Sequence, residues 1–430
     1  MINKILIYLS MFFLFYDSFP FQKIGLGSSK PLSLAFLGIY FVLNIMSIIN
    51  NKYKNQEKLI FLILIIFNLI SITKGVLIYK QPENAFKFLN EIISFIVIYC
   101  SLKDIFIKRK VKMEKNIRII LYGYTFNTFF GIIQLIYGLS KNQSILKFFD
   151  IFLNSTNHIE NGRIQFLFGE PSFISTHITI IIMPIIIYCI INKIKINKII
   201  QFSILVMLIL SLKANSLRVI VDIVVAITII SIINSKKNIK LSLILVPIII
   251  ILTTMIPSIV RANSDNLLVM RISNILNKSS AITDNSLWAR RDYTLVGINA
   301  LKKKPITGYG GGYYILNYRD SIEEVDPYYY NNYELLRNYD AEYLNSINMY
   351  ARFSSEFGLI GIIAICIFII HMILTVKNKF YISIFILILY NWVQNDSLIL
   401  ITNMFWIVYL INYKKIEERG NINENNSFIN

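Results

Sequence analysis

The chain has 430 residues, of which 55% are hydrophobic and 14% aromatic, and it carries a formal net charge of +18 with a mean hydropathy of +0.57. Soluble domains hold apolar content near or below half, so the composition excludes an ordinary soluble enzyme and indicates an integral membrane protein. The charge does not call for a nucleic-acid partner, because the lysines and arginines fall mostly in short clusters between apolar runs, the pattern of loops retained in the cytoplasm. Cys100, Cys189 and Cys366 all lie inside apolar runs, which argues against a disulfide framework or a thiolate metal site.

Apolar runs recur from end to end, so the bilayer requires helices rather than the weak alternation of a barrel. The first run, Ile5 to Tyr16, follows Lys4 and lacks a small-residue cleavage site; it reads as a retained helix. Leu32 to Ile49, Leu59 to Ile72 and Phe88 to Leu102 follow, and then the densest basic run, Lys103 to Lys115. Ile117 to Leu139 leads to a polar segment, Ser140 to Phe168, and Phe173 to Ile191 returns to Lys193, Lys195 and Lys198. Ile199 to Leu212 and Val219 to Ile233 pair around a short turn, and Leu241 to Ile256 opens into a long polar stretch, 257–352. Phe353 to Val376, Phe380 to Val393 and Leu398 to Ile411 complete the series, the last two bracketing the polar turn Gln394 to Ser397.

The expected fold is therefore an all-α integral membrane protein, a single polytopic domain over 1–430 with about twelve transmembrane helices and one long extracytoplasmic loop, 257–352. With the N-terminus inside, the clusters near Lys52, Lys108, Lys195, Lys236 and Lys377 all fall in the cytoplasm, while Lys74, Lys80 and Lys87 fall outside and run against the scheme. The long loop holds roughly eleven basic and ten acidic residues and about a dozen tyrosines. Tyrosine joins an apolar face to a polar tip, which suits either an interfacial belt or stacking on sugar rings.

Chemistry is expected at the outer face, where Arg163, Arg218, Arg290, Arg291 and Arg352 arrive from separate parts of the sequence. A guanidinium makes paired hydrogen bonds to phosphate oxygens and stays charged near lipid. A cluster of them at headgroup level suits a polyprenyl pyrophosphate and its departure as a leaving group; the alternative is snorkelling to lipid headgroups. Glu170, in Gly169-Glu170-Pro171-Ser172, is placed to act as a general base or to pair with Arg163. Glu356 lies about one turn into a span, where an ionisable group is functional or paired more often than idle. The glycine run from Pro305 to Tyr314 lacks the Lys-Ser/Thr of a phosphate loop, and reads as a tight turn that brings backbone close to another element. His158, His177 and His371 show no metal-ligand spacing, so neither a metal nor another cofactor is expected.

Arg163 through Glu170 to Ser172, Arg291-Asp-Tyr-Thr-Leu295, Pro305-Ile-Thr-Gly-Tyr-Gly310 and Asn348 through Glu356 to Gly361 together resemble the ordered landmarks of the O-antigen polymerase and O-antigen ligase superfamily. The resemblance implies a GT-C-like fold and a donor glycan carried on undecaprenyl pyrophosphate, with membrane lipid as its other partner, and it leaves room for a chain-length regulator. It also implies Arg163, Arg218, Arg290 and Arg291 as phosphate ligands, Asn348 and Arg352 as further substrate contacts, and Glu170, Glu356 and Arg291 as the catalytic candidates. Ligases of this group carry a histidine ahead of the asparagine; that position here is Ile347. The departure favours a polymerase in a bacterial cytoplasmic membrane, acting on its extracytoplasmic face, and leaves the base open between Glu170 and Glu356. The rival readings are a ligase that transfers the glycan to a lipid A core or a protein, and a lipid-linked oligosaccharide flippase. Asp222 is the charge that suits a transporter best.

Overall fold

Helices dominate the computed structural model, which describes residues 1–24, 30–109, 111–214, 216–234, 285–342, 344 and 346–426. Leu241 to Ile256 and the first part of the long polar stretch lie outside the described residues. In chain order the principal helices are α1 (Ile2–Phe12), α2 (Leu32–Leu43), α3 (Asn55–Thr73), α4 (Pro82–Lys103), α5 (Met113–Ser140), α6 (Phe173–Ile191), α7 (Lys198–Ser211) and α8 (Leu217–Asn234). They continue with α9 (Asn285–Lys303), α10 (Tyr314–Val325), α11 (Tyr333–Tyr339), α12 (Met349–Thr375), α13 (Lys379–Trp392) and α14 (Ile401–Asn426). Among the described residues the only pairing of strand type is an isolated bridge between Phe19 and Lys30.

Five described helices are long and apolar enough to cross a membrane: Asn55–Tyr79, Pro82–Lys108, Met113–Ser140, Phe173–Ile191 and Met349–Thr375. Ile2–Phe15, Leu32–Leu43 and Lys379–Trp392 are apolar but shorter. With no water at that depth, only a helix satisfies its own backbone; proline stands in the first turn of α4, at Pro82, and inside α6 Pro184 follows a π-helical stretch, Ile178–Ile182. Several helix starts are capped by asparagine: Asn348 accepts from the Tyr350 N–H at 2.9 Å, Asn378 from Phe380 N–H at 2.9 Å, and Asn332 from Glu334 N–H at 3.0 Å.

One end of the bundle is tied by buried ion pairs. The Glu57 carboxylate lies 2.6 Å from Lys103 Nζ and accepts from Tyr99 Oη at 2.5 Å, which joins α3 to α4. Asp104 accepts from Tyr40 of α2 at 2.6 Å and lies 3.5 Å from Arg109. Lys54 Nζ donates to the Ile411 carbonyl of α14 at 2.8 Å.

The opposite end carries α9, α10 and α11. The described part of the long polar segment is thus a helical layer with its own core, built on Trp288, Tyr293, Tyr314, Tyr318, Ile322 and Leu335. Its tyrosines divide. Tyr293, Tyr309, Tyr313, Tyr314 and Tyr318 are interior, where hydroxyls find acceptors: Tyr318 Oη donates to the Leu335 carbonyl at 2.8 Å and Tyr314 Oη to the Tyr293 carbonyl at 2.5 Å. Tyr328, Tyr330 and Tyr333 stay exposed.

The glycine run docks this layer onto α12. At Gly358 the helix breaks, with φ 58° and ψ −141°, and the chain from Pro305 to Gly312 lies across the break. Tyr309 N–H donates to the Ser355 carbonyl at 2.8 Å, Gly310 N–H to the Glu356 carbonyl at 2.6 Å, and Leu359 N–H to the Pro305 carbonyl at 2.7 Å. A Cβ on Gly308 would come within 2.5 Å of the Phe357 nitrogen, so only glycine permits the approach. Lys74, at the end of α3, closes the junction by donating to Thr307 Oγ1 at 2.8 Å and to the Gly308 carbonyl.

Candidate functional site

Two guanidinium centres form at the end that carries α9 to α11. The first is Arg218, in the first turn of α8. Its Nε donates to Asp222 Oδ2 at 3.2 Å, and its Nη2 to Thr176 Oγ1 at 2.8 Å and Asn391 Oδ1 at 3.3 Å. Asp222 is held in turn by Ser175 Oγ at 2.6 Å, Tyr390 Oη at 2.6 Å and Gln394 Nε2 at 2.8 Å. The i,i+4 spacing places Arg218 and Asp222 on one helix face. Asp222, the best candidate for a transporter's charge, is therefore the partner of Arg218. Arg290 of α9 stands close enough to Arg218 to interact with it electrostatically.

The second centre is Arg352, in the first turn of α12, buried with 1% of its side chain exposed. It meets Glu91 Oε2 at 2.6 Å and Oε1 at 3.0 Å, Glu356 Oε2 at 3.2 Å, and the Asp396 carbonyl at 2.9 Å. Every nitrogen of the fork is thus engaged within the protein. Glu356 also accepts from the Gly312 N–H at 3.1 Å, which links the ion network to the glycine run. Placed among buried charges this way, Arg352 and Glu356 brace α4, α12 and the outer layer.

The segment between α13 and α14 connects the two centres. Gln394 reaches the Arg218 side through Asp222, while the Asp396 carbonyl and the Leu398 N–H, 3.1 Å from Glu91 Oε1, reach the Arg352 side. Below it runs an apolar cleft of about 390 Å³ between α3, α4, α12, α13 and α14, lined by Leu64, Phe67, Phe95, Phe353, Phe368 and Ile407 among others. Ser397, Trp392 and Asn403 stand at its upper end, and Asn391 donates to Asn403 at 3.1 Å. Such a lining suits an apolar chain rather than a polar ligand.

The other predicted residues are distributed around this frame. Arg291 is half exposed, with its Nε donating to Asp292 at 2.8 Å. Arg163 donates to the Ala214 carbonyl at 2.9 Å, four residues ahead of Arg218, and its Nη1 is 3.5 Å from His158 Nδ1. Burial, and after it Arg163, lower the His158 pKa. Glu170 is exposed and accepts from Ser172 Oγ at 3.2 Å. Asn348 spends its side-chain oxygen on capping α12. Behind Glu170, Asp17 accepts from the Gly169 N–H at 3.3 Å and lies 3.2 Å from His177 Nε2, whose Nδ1 is 2.6 Å from Tyr124 Oη. Among the described residues no group of three His, Cys, Asp or Glu side chains could hold a metal ion.

Sequence reasoning missed Glu91, Asp396 and the Asp17–His177–Tyr124 chain. Glu91 carried a usable signal, an acid within the apolar run Phe88 to Leu102. Asp396 carried none, since acids are ordinary in a turn.

A family model described as O-antigen ligase matches residues 199–366. The match spans α7 through most of α12 and contains Arg218, Asp222, Arg290, Arg291, Asn348, Arg352 and Glu356. No curated protein sequence matches the chain.

Proposed function

From the premise that this chain carries an O-antigen ligase-family domain over residues 199–366, we propose that it is a glycan polymerase. Family members act on lipid-linked glycans; this one transfers a glycan from a polyprenyl pyrophosphate donor to the end of another lipid-linked unit. The observation that carries the reading is Arg218, fixed at the end that carries α9 to α11 by Asp222, Thr176 and Asn391, with Arg290 in electrostatic range of it. Two guanidiniums within reach repel each other, and a diphosphate between them turns that cost into attraction. Arg291 and Arg163 extend the cationic surface, and the polyprenyl tail lies in the cleft. As the glycan's anomeric bond breaks, charge develops on the pyrophosphate, where fixed guanidiniums stabilise it most. Arg352, Asn348 and Glu356 act from behind by fixing α12 and the glycine run, and Glu170 is available at the rim.

This reading keeps one polytopic domain with about twelve spans, a GT-C-like arrangement, and 257–352 on the extracytoplasmic side of a bacterial cytoplasmic membrane. Ile347 in the place of the ligase histidine supports polymerisation, while the matching family's description supports ligation. Product size separates the two. The purified protein, incubated with lipid-linked repeat units from its own source without metal or nucleotide sugar, is expected to give a ladder of chain lengths. A single addition to a different acceptor would make it a ligase, and no transfer by folded protein with the correct substrate would refute both. Arg291→Lys is expected to lose most activity while reaching the membrane normally, because a point charge cannot reproduce the planar fork; full activity would remove Arg291 from the site.

A further inference from the structure

The acids near the two arginine centres differ in what already holds them. Asp222 accepts from Arg218, Ser175, Tyr390 and Gln394. Glu91 accepts from two nitrogens of Arg352 and from the Leu398 N–H, and Glu356 from Arg352 and the Gly312 N–H. The lone pairs of these three carboxylates are thus already taken up by donors within the protein. Asp396 is different. Its backbone carbonyl takes the Arg352 hydrogen bond, but no other described residue donates to its carboxylate, and its Oδ2 is shielded from solvent with no partner.

A buried oxygen without a donor costs roughly 1–3 kcal/mol. The segment that carries Asp396 is fixed on both sides. Two residues earlier Gln394 is bonded to Asp222, and two residues later Leu398 is bonded to Glu91. Asp396 therefore sits on the segment that joins the two centres, with its carboxylate in electrostatic range of Arg352 and Glu91 and next to the cleft residues Ser397 and Leu398, and with a lone pair free for a hydroxyl donor.

We infer that Asp396 is the general base of the transfer, taking the proton of the acceptor hydroxyl as that oxygen attacks the anomeric carbon of the donor glycan. The assignment rests on the glycosyl-transfer reading above and supplies the group which that reading leaves open. A bond forms between the acceptor oxygen and the anomeric carbon. The bond from that carbon to the pyrophosphate oxygen breaks, and its electron pair leaves with the phosphate beside Arg218 and Arg290. The proton on Asp396 then passes to solvent or to the released lipid pyrophosphate, which restores the carboxylate. Burial raises the Asp396 pKa to about 7, against the opposing pull of Arg352. Glu91 of α4, Arg352 of α12 and Tyr314 of α10 are the titratable groups that face it. A base with that pKa is matched to neutral pH, so the rate rises through about pH 7 and then levels.

The test uses the full-length protein in detergent with its lipid-linked repeat units, comparing wild type, Asp396→Asn, Asp396→Glu and Glu170→Gln. Asp396→Asn is expected to lower kcat by roughly 10²- to 10⁴-fold, to leave KM for the donor within about twofold, and to abolish the acid limb of the pH profile. Asp396→Glu is expected to recover part of kcat with a displaced limb, and this variant decides the matter if the asparagine variant does not fold. Wild-type kcat with an unchanged limb in Asp396→Asn overturns the assignment while leaving glycosyl transfer intact. So does loss of the limb in Glu170→Gln, or a loss in Asp396→Asn that tracks a lowered melting temperature. Absence of product from the wild type instead defeats the underlying reading.

Discussion

Replacing Gly358 by alanine tests the junction between the outer layer and the membrane helices. The backbone there has φ 58° and ψ −141°, a region that non-glycine residues enter at a cost of roughly 1–3 kcal/mol. The added Cβ would lie 2.8 Å from the carbonyl carbon and oxygen of Ile306, and closer still to the Pro305 oxygen. Backbone that moves to relieve this contact gives up the bonds from Leu359 N–H to Pro305 and from Ile360 N–H to Ile306, at 2.7 and 3.3 Å, each about 1 kcal/mol. The sum is on the order of 3–5 kcal/mol, enough to favour local opening of the glycine run by 10²-fold or more. Lys302 and Lys303 are exposed immediately before that run, so limited trypsin cleavage there, together with hydrogen exchange at Gly308 to Gly312, reports the opening. Both are expected to accelerate by at least about tenfold in Gly358→Ala while the spanning helices keep their protection. Wild-type cleavage and exchange would refute the proposed clamp.

Arg352→Ala leaves Glu91 and Glu356 facing each other without their shared cation, a loss of roughly 3–5 kcal/mol; thermal unfolding in detergent should show a lowered midpoint that Glu91→Gln partly restores in the double variant. Asp292 is raised to about 6 chiefly by burial and then by its hydrogen bond with Asp326. The folded state therefore binds more protons than the unfolded chain between about pH 4 and 6, and stability falls as pH rises through that window. Discounted for screening beside half-exposed Arg291, the effect is on the order of 1 kcal/mol. Asp292→Asn is expected to flatten this slope in denaturation series from pH 4 to 7; an unchanged slope would assign it elsewhere.

Periodic features carried well from sequence to structure. Long apolar runs became helices, and the glycine run proved to be a close approach of backbone to another element, as the need for unusual dihedrals suggests. The i,i+4 relation of Arg218 to Asp222 was equally local and could have been read directly. What stayed hidden depends on partners far apart in the chain. Nothing near Arg352 indicates that Glu91, some 260 positions earlier, will neutralise it. The polar turn Gln394 to Ser397 looks like any surface turn until Gln394 and Asp396 are seen to reach different arginine centres. The tyrosines of the outer layer were legible only in part. Composition could not separate the buried set, Tyr293, Tyr309, Tyr313, Tyr314 and Tyr318, from exposed Tyr328, Tyr330 and Tyr333, because that division depends on which hydroxyls find internal acceptors.

The ties at the far end of the bundle have a mechanical consequence. Separating α3 from α4 there would strip Glu57 and Lys103 of each other in a low-dielectric medium, and parting α3 from α14 would release Lys54 from Ile411. At the arginine-bearing end Arg352 and Glu91 hold α12 to α4 in the same way. The cleft between these helices is therefore clasped at both ends, and neither end can part without stranding a buried charge. Any widening falls on the apolar stretch of helix between the two clasps, where only side-chain packing has to give.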